Sequence, residues 1–176
     1  MPIERTRVIE VLKDSYSAYY TIANDVQTAL PLAFRADYCV RDESYFLIKS
    51  ATIWGNEKSE HAYIFSVPSL DADTVGRCTD YAWEDALPRV HPHKEHQCTN
   101  VKVVFVADHV EEEAAKTVQK LHRTKNYRFG LHGFSNLLVG AEDLSQRRTV
   151  TNRAGHELGP YFKKLFAAME RHPDGN

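Results

Sequence analysis

The sequence predicts an α+β domain: a mixed, mostly antiparallel sheet of five to six strands with helices packed on it. Three observations predict it. Val101–Ala107 is apolar on both alternations apart from Lys102, the pattern of a strand covered on both faces. Three strand-like segments upstream, 32–40, 45–54 and 61–67, are separated by short polar turns at 41–44 and 55–60, the spacing of antiparallel neighbours. Two long segments near the ends carry apolar residues at helical spacing. At 176 residues the chain is expected to form one domain, 1–176, with 171–176 as a frayed tail.

The elements follow in the order α-β-β-β-α-β-α-β-β-α. Val8, Leu12, Tyr16, Tyr19 and Ala23 share a helical face, so residues 6–24 read as the first helix. The tyrosines are expected at the edge of the core, each with its hydroxyl at the rim. Pro31 closes this segment because proline does not extend a helix from inside. Leu32–Val40 alternates and is the first strand. Tyr45–Trp54, rich in aromatic and β-branched residues, is the second, and His61–Val67 the third. Ser69 or Asp71 caps the second helix, whose inner stripe is Val75, Cys78 and Ala82.

The central strand at 99–107 follows a histidine-rich loop. Asp108 and Glu111 then form the pattern of a capping box for a third helix ending near His122. Tyr127–Phe134 and Leu137–Leu144 read as two further strands, with a short edge at 150–152. On the first of these, alternation puts Arg128 and His132 on an open face and Phe129 and Leu131 in the core. The last helix spans Ala154–Arg171, with Leu158, Phe162, Phe166 and Met169 inward.

Bulk charge selects no partner, since the net is −2, although residues 1–88 carry −6 and residues 89–176 carry +4. Three widely spaced cysteines, Cys39, Cys78 and Cys98, argue against a disulfide framework and fit a reducing cytoplasm. The N-terminus has no apolar stretch resembling a signal peptide. The longest uncharged run, 129–141, is too short to cross a bilayer, so no membrane partner is expected.

Two groups of residues carry chemistry. His91, His93, His96 and Cys98 precede the central strand and offer the nitrogen and sulfur ligands that zinc or another divalent metal takes. Arg123, Lys125, Arg128 and His132 form a cationic zone able to face an anionic ligand or nucleic acid. No Gly-x-Ser-x-Gly elbow is present. The expected function is a cytoplasmic binding or regulatory module. The alternative is a metal-dependent hydrolase of phosphoesters or esters built on residues 91–98.

The opening order, α-β-β-β-α-β, resembles the restriction-endonuclease-like core. That family sets an acid on the second strand and (Asp/Glu)-x-Lys on the third. Glu43 and Lys49 lie before and within the second segment here, but His61–Val67 has neither acid nor lysine, so the resemblance implies topology without nuclease chemistry. The same region resembles the acetyl-CoA acyltransferase fold, whose glycine-rich pyrophosphate turn is replaced by the acidic, glycine-free stretch 67–73. His91-x-His93-x-Glu95-His96 resembles the His-x-His-x-Asp-His signature of metallo-β-lactamase-type hydrolases, with glutamate for aspartate. Tyr127–Phe134 together with Thr151–Gly155 resembles a family of uncharacterised bacterial proteins, which implies no mechanism.

Overall fold

The computed structural model describes residues 3–23, 26–39 and 57–171. The second predicted strand, 45–54, lies outside the described residues, as do Glu43, Lys49 and the tail 172–176. The described elements are α1 (Arg5–Ser17), β1 (Thr21–Ala23), β2 (Leu32–Cys39), β3 (Glu57–Leu70), α2 (Ala72–Ala86), β4 (His96–Val110), α3 (Glu112–Lys120), β5 (Thr124–Asn126), β6 (Phe134–Asp143), β7 (Arg148–Thr151) and α4 (Leu158–Arg171).

The sheet runs β1-β2-β3-β4-β6-β5, and β7 also pairs with β6. It is mixed, as expected. β3–β4 and β4–β6 are parallel; the four outer pairings are antiparallel. The outer edge of β6 is shared, with β5 on Phe134–Asn136 and β7 on Gly140–Asp143.

Both parallel connections step across the sheet in the same direction. The fixed hand of such crossovers therefore places α2 and α3 on one face. There Val75, Cys78, Ala82 and Ala86 of α2, with Ala114 and Val118 of α3, cover Tyr63, Phe65, Val103 and Phe105. On the opposite face Val8 and Leu12 of α1, with Leu158, Phe162 and Phe166 of α4, cover Phe34, Ala62, Ile64, Val104 and Val106. The central strand is covered on both sides: Val101, Val103, Val104, Phe105 and Val106 are all buried. Phe105 stacks on Phe65 across the parallel pair, centroids 5.5 Å apart.

Four expectations are corrected. The first helix stops at Ser17, and the chain turns through Ala18–Tyr20 into β1. Tyr16 and Tyr20 nevertheless stay close, with centroids 4.6 Å apart. Asp108 does not cap a helix. It receives Arg5 Nε at 3.2 Å, while β4 runs on to Val110 and α3 begins at Glu112. Residues 127–133 form a turn rather than a strand, because Arg128 and Phe129 both have positive φ, 46° and 56°. Phe129 is consequently fully exposed and Leu131 77% exposed, where alternation had put both in the core. The last helix starts at Leu158, four residues later than its apolar spacing suggested.

Candidate functional site

The α1–α4 face carries a cleft of about 430 Å³ near the N-terminal ends of β4 and β6. Its walls are Tyr16 on α1, Tyr19 and Tyr20 in the turn after it, and Tyr161 on α4. Its floor is Glu60 of β3, Asn100 and Lys102 of β4, and Leu138 of β6. Strand alternation accounts for the floor: the same face holds Ala62, Ile64, Val104 and Val106 further along, so even-numbered residues here point to the α1–α4 side.

Polar residues therefore replace apolar ones at one end of an otherwise hydrophobic face. Lys102 Nζ lies 2.5 Å from Glu60 Oε1, with side chains 16% and 13% exposed. Tyr20 donates to the same oxygen at 2.6 Å. Lys102 also sits over the Tyr16 ring, 5.9 Å from its centroid. Burial, with the Glu60 charge behind it, holds both the Tyr16 and the Tyr20 hydroxyls well above the ordinary phenol range. The two phenols stay protonated, and Tyr20 donates to Glu60.

The far wall is set by Asn152, which is buried. Its Oδ1 accepts from Val139 N at 3.0 Å and from Gly155 N at 2.8 Å. Its Nδ2 donates to Leu121 O and Leu137 O. All four hydrogen-bonding positions of the amide are used. This binds the segment before α4 to β6 so closely that a Cβ on Gly155 would fall 2.7 Å from Val139 O. Ala154 and Gly155 then line the cleft. Asn152 thus holds in place the two residues, Ala154 and Gly155, that form this wall of the site.

On the other face a polar network joins the end of α2 to β2 and β3. Asp37 receives His61 Nδ1 at 2.6 Å and Arg89 Nη1 at 2.7 Å. Tyr63 donates to Asp85 at 2.6 Å, and Arg89 reaches both Tyr63 and Asp85. Burial would raise the Asp37 pKa. The hydrogen bonds from His61 and Arg89 outweigh it and hold the carboxyl at about 2. Two arginines face two aspartates here, so the cluster is internally matched and acts as a clamp on α2.

The histidine loop does not converge. His91 is exposed. His93 accepts from Glu95 N through Nδ1 at 3.2 Å. His96 is buried, with Nδ1 2.7 Å from His132 O and Nε2 2.9 Å from Thr99 Oγ1. The carbonyl requires a proton on Nδ1, and Nε2 is taken by Thr99, so both ring nitrogens are occupied. Burial pushes the Cys98 thiol pKa up. Among the described residues no group of three or more His, Cys, Asp or Glu side chains is placed to hold a metal ion. His91, His93, His96 and Cys98 therefore do not fit a zinc centre in this arrangement. An exposed imidazole and a buried one look alike in sequence.

The cationic zone also divides. Arg123 pairs with Asp80, and His132 contributes its backbone carbonyl to His96. Lys125 lies over the Tyr127 ring, and Arg128 is exposed.

A family model described as a domain of unknown function, DUF8052, matches residues 4–164. The chain belongs to that family. Its matched span takes in the whole cleft, from Ser15 to Tyr161, and the Asn152 bracket. No curated protein and no solved structure matches the chain. Among the described residues no helix is long and apolar enough to cross a membrane.

Proposed function

We propose that this DUF8052 domain is a binding module that holds a small organic ligand in the α1–α4 cleft. One observation carries the reading: four tyrosines and a sequestered Glu60–Lys102 pair meet around one space of about 430 Å³. That volume suits a small molecule, and the lining has the usual make-up of such sites, apolar and aromatic walls with a few fixed polar groups. The tyrosine rings offer flat faces to a hydrocarbon or aromatic body. Asn100 and the Glu60–Lys102 pair offer an amide and a matched donor and acceptor to its polar end.

Glu60 neutralises Lys102 and shares its Oε1 with Tyr20, so the pair is engaged as a recognition element rather than poised as a base. The hydrolase alternative gains no convergent ligand set from residues 91–98. Placement in the cytoplasm is part of the proposal and rests on the odd number of cysteines.

The test is native mass spectrometry of the protein mixed with a library of small organic molecules, beside an Ala154→Trp variant that fills the cleft. Adducts held by wild type and lost in the variant are expected. Equal retention by both proteins would refute the proposal.

A further inference from the structure

Three of the four large apolar side chains that stand exposed among the described residues fall within six positions, Phe129, Leu131 and Phe134. They belong to the turn between β5 and β6 and to the first residue of β6. The turn holds Arg128 and Phe129 in the left-handed region, a conformation disfavoured for side chains of this size.

The turn is nevertheless firmly built. Tyr127 N donates to Gly133 O, Gly130 N to Tyr127 O, Leu131 N to Arg128 O, His132 N to Tyr127 O and Gly133 N to Gly130 O. From below, His96 Nδ1 donates to His132 O at 2.7 Å. A Cβ on Gly133, which has φ 76°, would fall 2.4 Å from Gln97 O, so the base of the turn lies directly on the start of β4. Local strain is thus used to hold a phenylalanine and a leucine out in solvent. Beside them Lys125 and Arg128 are exposed and have no acidic partner among the described residues.

We propose that residues 125–134 are a membrane-surface wedge. Phe129 and Leu131 enter the boundary between headgroups and acyl chains of an anionic bilayer, and Lys125 and Arg128 meet the lipid phosphates. Charge complementarity selects an anionic surface. Five backbone amides of the turn, those of Tyr127, Gly130, Leu131, His132 and Gly133, are bonded internally, which lowers the cost of bringing this backbone to a medium poor in water. Leu131 selects lipid over nucleic acid, since an aliphatic side chain has no ring face to stack on a base. The contact is peripheral and needs no spanning helix.

Flotation of the full chain with vesicles of phosphatidylcholine and phosphatidylserine tests this. Wild type is expected to float with these vesicles and less with phosphatidylcholine alone. Phe129→Ala/Leu131→Ala should weaken partition by roughly tenfold or more, given the apolar surface removed. Arg128→Glu should weaken it about fivefold or more. Melting temperatures should not move, because these side chains are exposed. Phe129→Trp should show a blue-shifted emission on the mixed vesicles. Absence of flotation, or equal flotation of wild type and the double variant, would overturn the proposal. So would retention of single-stranded oligothymidylate that depends on Phe129 without any flotation.

Discussion

Lys102 and Glu60 meet at 2.5 Å across neighbouring parallel strands, at the one end of the α1–α4 face where the hydrophobic pattern breaks. A mostly buried pair of this kind adds little net stability, but removing one partner strands a charge. Lys102→Met should therefore destabilise the fold by about 3 kcal/mol, the lower end of the range because Tyr20 still donates to Glu60. The double variant Glu60→Gln/Lys102→Met should recover most of that loss. Urea unfolding of the two variants checks it, and a double variant as unstable as the single one would contradict the pairing.

Asp37 gives the fold an acid-sensitive clamp. Its carboxyl is held at about 2, below the ordinary 3.8, by His61 and Arg89. The stability this contributes is fully present above pH 3.8 and is lost as pH falls through about 2. Asp37→Asn should flatten this part of the stability curve. The change should be no more than about 2.5 kcal/mol, since one pKa unit is worth about 1.4 kcal/mol. Equilibrium unfolding between these limits measures the slope.

Glu142 has the opposite sign. It is 1% exposed, and burial raises its carboxyl from 4.5 to about 7, against the hydrogen bond donated by Thr149 and with help from the Asp143 charge. The folded state holds this proton more tightly, so stability should decline as pH rises from 4.5 to about 7. Glu142→Gln keeps an acceptor for Thr149 and should remove the decline. The gain above pH 7 should be at most about 3.5 kcal/mol. An unchanged pH profile would mean the carboxylate finds compensation in the fold.

The parts of this fold legible in the sequence are those in which one physical signal dominates. Val101–Ala107 is apolar on both alternations, and the strand is buried on both faces. Val75, Cys78 and Ala82 lie at helical spacing and are buried in α2, with Asp71 as N-cap accepting from Thr74 N at 2.7 Å. Elsewhere two signals competed. Tyr127, Phe129 and Leu131 alternate like a buried strand face, but Gly130 and Gly133 at φ 90° and 76° belong to a turn. Glycine at those two positions was the stronger clue.

The cleft was only half legible. Tyr16 and Tyr19 appeared as a helical stripe, and Tyr16 and Tyr161 do line the edge of the core. Glu60 and Lys102 gave no local signal, because they are 42 residues apart and meet only through the β3–β4 register. The histidine loop gave the strongest local signal. Its meaning depended on long-range partners, above all the bond from His96 to His132 O.

The most direct test of the cleft is solution NMR of the protein with a ligand retained in the library experiment. Intermolecular nuclear Overhauser contacts should connect ligand protons to the rings of Tyr16 and Tyr161 and to the side chain of Leu138. Contacts confined to other surfaces, such as the loop at 91–98 or the turn at 127–133, would contradict the account.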